Sequence, residues 1–445
     1  MSQNLSSEFI EKVKSDLANH ASYKVAARAA QTNGIFKASE DPAAKINNTP
    51  TFSVEIDTGK VANQKISGRC WMFSALNSMR HPLQKKFKLK DFELSQNFTN
   101  FWDKFEKSNW FLENVIATGV IPLTDRKVSF LFQTPQQDGG QWDMLCGLLE
   151  KYGIVPKSVY PDTFNATDSR ALNDTINHLL RKDGLKLRKL VSENVPAEEI
   201  QAAKEDMLND IFRVLATSLG VPPTEFDFEY KDDEGKYVID KGLTPQEFFK
   251  KYVGMNLTDH VSIINAPTAD KPMHKVFTVE YLGNVVGGRQ VRHLNLEIAE
   301  MKDLIIKQLQ DGVVVWFGSN VAKESERQAG ILDTKLYRRD ELFDVDYSMS
   351  KADALDSGES LMDHAMVITG VDLVDGKPTK WKIENSWGEK PGFKGYFVMS
   401  DEWFDSFVYQ AVIDKKYLSE ALQKEYDKEP IVLAPWDPMG ALADY

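Results

Sequence analysis

Cysteine is scarce in this sequence: Cys70 and Cys146 are the only two among 445 residues. Two cysteines cannot form the disulfide framework of a chain this long. The N-terminal stretch also lacks the basic and apolar segments of a secretory signal peptide. We therefore expect both cysteines to be free thiols in a reducing compartment, and the protein to be cytoplasmic.

Long apolar runs and an excess of positive charge are missing as well. No stretch approaches the roughly 20 apolar residues that span a bilayer, so no membrane partner is expected. The 54 Lys and Arg residues are outnumbered by 66 Asp and Glu, which gives a net charge of -12. This acidity argues against nucleic-acid binding. What remains is an ordinary globular composition, 42% hydrophobic and 27% charged, sufficient for two or three domains or one decorated domain.

The order of helical and strand-like segments predicts five parts along the chain. The first two are an N-terminal helix with a wrapping arm (1–60) and a helical lobe (61–165). They are followed by an inserted, mostly helical subdomain (166–290), a β lobe (291–425) and a C-terminal arm (426–445). The insertion is predicted from its helical periodicity and its Lys, Glu, Asp, Ala and Leu content. The arm is predicted to be extended because its last eighteen residues hold three prolines and one glycine.

Single elements are predicted inside these parts. An amphipathic helix over residues 5–20 precedes a turn-rich stretch over 21–60. Further helices are expected from Cys70 to about Lys86, from near Ser95, and over residues 141–152 and 296–311. The runs HAMVITGVDLV, KWKIENSWG and GYFVMS predict three strands of an antiparallel sheet.

Cys70 lies in the segment QKISGRCWMFSALN, at the start of a predicted helix. The unpaired N–H groups and the positive dipole end of a helix stabilise a thiolate. Gly68 leaves room beside the sulfur, and Arg69 adds a charge whose direction the sequence does not show. The alternative is a buried structural cysteine, which is the more common role of a lone cysteine. Cys146 lacks such surroundings, and we expect it to pack in the core.

A thiolate nucleophile needs a base, a group that orients the base, and an oxyanion donor. His364 is the candidate base among seven histidines, because a polar turn there enters an apolar strand in MDHAMVITG. Asn385 ends a later strand in ENSWG, and its carbonyl oxygen is expected to accept the Nδ1–H of His364. Gln64, six residues before Cys70, is a candidate oxyanion donor beside a backbone N–H at the helix start. Taken singly, His364 and Asn385 are more often structural residues.

Taken together, these segments resemble the papain-like cysteine peptidases. The shared features are a glutamine six residues before CW, the DHA before a strand, and ENSWG. The signature of that group is C-G-[SA]-C-[WY]. This chain departs from it at Ser67, which replaces a disulfide cysteine of secreted relatives, and at Arg69, which replaces a small residue. The first departure suits a cytoplasmic member.

The spacing of the motifs narrows the resemblance to the bleomycin hydrolase / aminopeptidase C family. Cys70 and His364 are 364 − 70 = 294 residues apart, whereas papain-type histidines follow the cysteine by roughly 130–150 residues. The segments GRCWMFSALN, DGGQWDM and WDPMGALA are also similar to sequences of that family. The resemblance covers essentially the whole chain. It implies an α+β, papain-like two-lobed fold with a large helical insertion and a C-terminal arm directed to the cleft.

The resemblance also implies the roles of single residues. Cys70 is then the nucleophile, His364 the general acid/base, and Asn385 and Gln64 the orienting and oxyanion-binding residues, while Trp387 covers the His–Asn bond. A second set is implied to bind substrate, namely Gly139, Gly140, Trp387, Asp444 and Tyr445. The glycine pair has no side chains, which allows β-addition of an extended peptide. No cofactor or metal is implied, and the sequence has no H-E-x-x-H motif, paired C-x-x-C or P-loop.

Three functions stay open at this point. In the family, the arm blocks the subsites upstream of the scissile bond, so the leading hypothesis is a thiol aminopeptidase acting on peptides. Because the chain continues past Ala443 to Asp444 and Tyr445, an oligopeptide endopeptidase is the alternative. A non-catalytic binding protein on the same scaffold is a remote third. The family resemblance further implies a homohexamer, for which the N-terminal helix and the insertion are candidate contacts.

Overall fold

The computed structural model describes residues 4–20, 22–440 and 442, which form an α+β structure. The α-helices, α1 to α17 in chain order, are Ser7–Ala18, Tyr23–Asn33, Ile35–Ser39, Pro42–Asn47, Cys70–Phe87, Gln96–Ala117, Arg126–Gln133, Trp142–Tyr152, Phe164–Thr167, Arg170–Ser192, Ala197–Leu219, Pro245–Phe248, Ile298–Gln310, Arg339–Phe343, Lys351–Asp356, Asp401–Phe407 and Glu420–Tyr426. The strands, β1 to β14, are Val54–Glu55, Phe226–Lys231, Tyr237–Leu243, His260–Ile264, Val276–Val279, His293–Asn295, Val315–Ser319, Ser325–Glu326, Ile331–Leu332, His364–Val374, Lys377–Glu384, Tyr396–Ser400, Val408–Asp414 and Ile431–Leu433.

One large sheet carries most of the strands. Its order is β14-β5-β6-β4-β13-β7-β10-β11-β12-β9-β8, and β1 pairs with β10. The neighbours β7, β10, β11 and β12 are antiparallel, whereas β12–β9, β4–β6 and β14–β5 are parallel pairs. The strands at the centre are buried along most of their length. The helices α13 and α16 pack on this sheet and enclose a core of aliphatic and aromatic side chains.

The helical lobe is built around α5, α6 and α8, whose apolar faces meet in a second core. Helix α6 begins where the Ser95 hydroxyl accepts the Phe98 N–H at 3.1 Å, which caps one free backbone donor. Helices α10 and α11 pack against α6 in a third core. Helix α5 also contacts β10, so the junction of the two lobes brings the two halves of the predicted site together.

Two predicted segments differ from the structure. The stretch over residues 21–60, predicted to be turn-rich, contains the helices α2, α3 and α4, because the alanine-rich run YKVAARAAQTN favours helix. The range 166–290 is predicted to be mostly helical, with extended or turn segments after residue 250. The strands β4 and β5 agree with that, whereas the hairpin β2–β3 is not predicted. Strand β4 pairs with β13, so the large sheet begins before residue 291. Such pairing joins residues far apart in sequence, which local periodicity does not reveal.

The structure also bears on membrane insertion. In the described ranges, no helix combines the length and the apolar character that crossing a bilayer requires.

Candidate active site

Cys70 is the first residue of α5 and is fully buried at the junction of the lobes. The backbone N–H of Ala365, the residue after His364, lies close enough to the sulfur to lower the pKa of the Cys70 thiol. One turn further along α5, the Ser74 hydroxyl donates to the carbonyl of Ala365 at 2.8 Å. The start of α5 and the start of β10 are therefore held together, which brings Cys70 next to the backbone of the residue that follows His364.

His364 is buried and bonds to Asn385, with 2.9 Å between Nε2 and Oδ1. The Ser386 N–H donates to the same oxygen at 2.7 Å, which identifies it as the amide oxygen, an acceptor. Nε2 must then carry the hydrogen. The prediction that Nδ1–H donates to Asn385 is therefore wrong, because the ring presents Nε2 to the amide.

Trp387 lies over this pair. The centroids of the His364 and Trp387 rings are 4.9 Å apart, with 31° between the planes. The guanidinium of Arg327 lies over the indole, 5.0 Å from the Trp387 centroid. The indole thus separates the His364–Asn385 bond from an exposed cation, and a low-dielectric cover strengthens a hydrogen bond.

Gln64 is held by the residues around the triad. Its Oε1 accepts the Ser386 hydroxyl at 2.5 Å, and its Nε2 donates to the Ser67 carbonyl at 2.6 Å. An amide nitrogen carries two hydrogens, so one remains to donate to an oxyanion. The side chain is almost fully buried and fixed at both ends, which suits a preorganised donor.

Burial governs the protonation of the Cys70–His364 pair. It raises the pKa of the Cys70 thiol to about 12, against the Ala365 N–H, which lowers it. Burial likewise lowers the pKa of His364 to about 4, against the bond to Asn385, and the charge of Arg327 lowers it further. The expected lowering of the Cys70 pKa at a helix start is therefore outweighed by burial. Burial thus disfavours either charge alone, so a thiolate and an imidazolium have to form together.

Asp138 supports the turn that precedes Cys70. Its carboxylate accepts the Lys104 ammonium at 2.6 Å, the Gly68 N–H at 2.9 Å and the Ser169 hydroxyl. Burial alone would raise the pKa of Asp138, but the charge and bond of Lys104, with the bonds from Ser169 and Gly68, hold it well below its usual range. The ionised carboxylate therefore fixes the turn that precedes Cys70.

The glycine pair faces the C-terminal arm. Gly140 and Leu442 form an antiparallel bridge, in which the Leu442 N–H donates to the Gly140 carbonyl at 3.3 Å. A Cβ at Gly139 would lie 1.6 Å from the Leu442 carbonyl oxygen, so a side chain there is incompatible with this arm. The arm thus occupies the edge that was predicted to pair with substrate.

Leu442 fills an apolar pocket beside the site. Its side chain is fully buried, and a Cβ at Gly318 would lie 3.4 Å from Leu442 Cδ2 and 3.2 Å from Met362 Sδ. Met362 is two residues before His364 in the chain. The arm therefore reaches the segment that leads into His364. The predicted substrate-binding residues Asp444 and Tyr445 lie outside the described residues.

The charge of Arg69 is paired, and Cys146 packs in a core. The Arg69 guanidinium donates to Asp162 at 2.8 Å and lies 5.1 Å from the Phe73 ring centroid, so its charge is paired at the side of α5. Cys146 is fully buried in the core of the helical lobe. Within the described ranges, no three His, Cys, Asp or Glu residues are grouped to hold a metal ion.

Comparison with known proteins identifies the group to which this architecture belongs. A model of the peptidase C1-like family matches residues 4–440. The chain belongs to this family. Aminopeptidase C of Lactobacillus helveticus is 73% identical over 446 residues, which cover 100% of this chain and 99% of that protein. Aminopeptidase C of Streptococcus thermophilus is 53% identical over 441 residues, covering 99% of each.

A crystal structure of PepW from Lactobacillus rhamnosis HN001 superposes with a TM-score of 0.98 at 62% identity and covers 100% of both chains. Within the peptidase C1-like family, the chain is thus a papain-like cysteine peptidase of the aminopeptidase C group. The family and the α+β fold class predicted from the sequence are confirmed.

Three contributors to the site were not predicted from the sequence. Asp138 directly precedes the glycine pair, where an aspartate is typical of an ordinary turn. Lys104 lies in an aromatic-rich helix, and the sequence does not show that its side chain is fully buried. A fully buried lysine needs a partner, which identifies it as a contributor only in the structure. Leu442 is an apolar residue in a proline-rich arm. Such a residue predicts burial but not the place in which it is buried.

Proposed function

We propose that this peptidase releases single residues from the N-termini of peptides through a Cys70–His364–Asn385 acyl-enzyme mechanism. The observation that carries the proposal is the pairing of Leu442 with Gly140. An extended peptide that paired with this edge would place residues upstream of the scissile bond where the arm now lies. A substrate therefore fits only when its chain begins close to the scissile bond. The names of the relatives, aminopeptidase C, support the same activity.

The first half of the reaction forms an acyl-enzyme. The Nδ1 atom of His364 takes the proton from the Cys70 thiol, and the resulting thiolate attacks the scissile carbonyl carbon. The negative charge on the carbonyl oxygen is stabilised by the free Nε2–H of Gln64 and by the backbone N–H of Cys70 at the start of α5. Collapse of this intermediate breaks the C–N bond, and the imidazolium protonates the leaving amine.

The second half releases the N-terminal residue. His364, neutral again, takes a proton from water, which attacks the thioester carbonyl at the same oxyanion site. Collapse expels the Cys70 sulfur, which recovers its proton from the imidazolium. Asn385 holds the ring through Nε2 during both halves, which leaves Nδ1 free to take and return the proton.

The charge of the substrate's free amine needs a partner. The resemblance to the family assigns this role to a carboxylate of the arm, and an ammonium–carboxylate pair is a strong, directional contact in a cleft. Leu442 lies at the catalytic groove, and Asp444 is two residues beyond it. We therefore propose that the arm after Leu442, with Asp444 and Tyr445, forms the end of the substrate site.

The test uses two fluorogenic substrates that differ only in a free or an acetylated α-amine, with reductant present. The intact chain is expected to hydrolyse the free-amine substrate and to leave the acetylated one intact, and Cys70→Ala is expected to abolish the reaction. Cys146→Ala is the matched control and should keep the activity, since the charged groups near Cys146 are Arg289, Asp143 and Glu150 and not His364.

The other outcomes separate the alternatives. Efficient cleavage of the acetylated substrate would replace this proposal by the endopeptidase. Hydrolysis that Cys70→Ala leaves unchanged would reject the thiol mechanism. The hexameric assembly, the cytoplasmic location, and the absence of nucleic-acid and membrane partners remain predictions. For the assembly, α1 has no buried residue, and Phe9, Val13 and Leu17 are exposed on it.

A further inference from the structure

The C-terminal arm makes a tight turn before it enters the cleft. The Asp437 N–H donates to the Ala434 carbonyl at 3.0 Å, and the Gly440 N–H donates to the Asp437 carbonyl at 3.0 Å. The Asp437 carboxylate also accepts the Met439 N–H at 2.8 Å. Asp437 is thus the residue around which the arm changes direction.

The same carboxylate is anchored to the β lobe by a buried ion pair. Its Oδ2 lies 2.9 Å from the Lys271 ammonium, and the two side chains are only 3% and 8% exposed. The anchor itself is fixed, because the Lys271 N–H donates to Thr268 at 3.1 Å and its carbonyl accepts the Asn295 amide at 2.7 Å. Lys271 has a second acidic neighbour, Asp270, whose side chain is 60% exposed.

The residues after the anchor reach the catalytic groove at fixed places. The Gly440 carbonyl accepts the Gln141 amide at 2.5 Å, and Leu442 pairs with Gly140 two residues later. Met439 and Leu442 are both fully buried. Leu442 is only five residues after Asp437, 442 − 437, so a shift at the turn moves Leu442 along the groove.

The contacts before Asp437 fix the start of the arm, near β14 and Trp436, but not its end at Leu442. Strand β14 pairs with β5, and Trp436 packs under the Arg126 guanidinium at 3.6 Å while it is still 38% exposed. Between these surface contacts and the groove, the Lys271–Asp437 pair is the buried charged link. Without Asp437, the buried Lys271 would keep only the exposed Asp270 as an acidic partner, so this link resists displacement.

We propose that the Lys271–Asp437 ion pair sets how far the arm enters the groove and thereby makes the enzyme selective for free N-termini. The inference rests on the proposed aminopeptidase function and assigns its selectivity to a pair of positioning residues remote from the reacting atoms. When the pair is broken, the turn loosens and Leu442 withdraws from its pocket. Peptides that extend upstream of the scissile bond then enter the vacated groove.

The experiment compares Asp437→Asn with the intact chain on an internally quenched peptide carrying an acetylated N-terminus and on a free-amine substrate. The amide introduced by this substitution still offers an oxygen to the Met439 N–H, so the change mainly removes charge. The ratio of acetylated to free-amine kcat/KM is expected to rise roughly tenfold or more. Lys271→Met should give a similar rise, and the double variant no more than either single one.

Asp270→Asn is the matched control, because it removes the same charge from the exposed neighbour of the same lysine. Its ratio is expected to stay within about twofold of the intact chain, since exposed pairs contribute little. Lys271→Arg, which keeps the charge, should retain selectivity and shows that any loss in Lys271→Met is not merely misfolding. An unchanged ratio in folded Asp437→Asn and Lys271→Met would overturn the proposal.

Hydrogen exchange separates this inference from the proposed function. Backbone amides of residues 439, 440 and 442 should exchange faster in Asp437→Asn than in Asp270→Asn, whatever peptides the enzyme cleaves. If the intact chain cleaved acetylated peptides freely while these amides were protected, the proposed function would fail and the anchor would stand. If exchange were the same in both variants, the anchor would be rejected irrespective of activity.

Discussion

At the scale of single residues, the bond between His364 Nε2 and Asn385 decides which nitrogen does the chemistry. The sequence was sufficient to propose Cys70, His364, Asn385 and Gln64 together, because each lies in a short motif with a distinct chemical role. It was insufficient to choose between the ring nitrogens. That choice depends on the side-chain rotamer and on where β11 ends relative to β10, neither of which a motif encodes.

Arg327 provides a residue-scale prediction about pH. Burial lowers the pKa of His364 to about 4, and Arg327 contributes to the lowering. Since the imidazole must be neutral to accept the thiol proton, activity should persist below the ordinary histidine pKa of about 6.5 and fall as the pH approaches the lowered value. In Arg327→Gln, the imidazolium is less disfavoured, so the acidic limb of kcat/KM should move to higher pH.

The measurement is a pH profile of kcat/KM for the free-amine substrate. Arg338→Gln is the control, because it removes a positive charge that is paired at the surface with Asp340 and Glu341. Its acidic limb should coincide with that of the intact chain. A limb that stays in place or moves to lower pH in Arg327→Gln would contradict this account of the His364 environment.

At the scale of elements, the helices that bear the site were predictable and their supports were not. The starts predicted at Cys70 and near Ser95 agree with α5 and α6, since capping and periodicity are local signals. The turn before α5 is held by Asp138, which lies 70 residues after Gly68 in the chain. Such a contact joins segments that are close only in the folded lobe, so no local sequence pattern predicts it.

Asp138→Asn tests that support. The substitution leaves the buried Lys104 without its charged partner, which typically costs roughly 3–5 kcal/mol. Urea unfolding should therefore show a clearly lower midpoint, and kcat should fall because the Gly68 turn is loosened. Asp210→Asn, which removes a carboxylate paired with Arg213 on the exposed face of α11, should change stability by less than about 1 kcal/mol. Equal midpoints for the two variants would refute the supporting role.

The pH dependence of this contribution has a definite sign. The pKa of Asp138 is lower in the folded chain than in the unfolded chain, so the folded state favours the ionised carboxylate. Its stabilisation is thus fully present above the unfolded pKa of about 3.9 and is lost as the pH falls below it. The difference between the intact chain and Asp138→Asn should accordingly shrink in acid.

At the scale of the whole molecule, the C-terminal arm links all the parts of the site. It leaves the sheet at β14, turns at Asp437 and pairs with Gly140 of the helical lobe. The two-lobed architecture followed from the resemblance, because the motifs are split between the halves of the chain. The strand order did not, since pairs such as β4 with β13 join residues about 150 apart in sequence. The two lobes were therefore predicted from the family resemblance, and the strand order is known from the structure; periodicity predicted neither.

The most direct test of this account is the cleavage of an N-acetylated, internally quenched peptide by the intact chain and by a chain ending at Gly440. The account predicts that the intact chain leaves this peptide uncleaved and that the shortened chain cleaves it, because the pocket of Leu442 and the edge of Gly140 are then open. Equal rates for the two chains, whether both fast or both absent while the free-amine substrate is hydrolysed, would contradict the claim that the arm restricts this cysteine peptidase to N-termini.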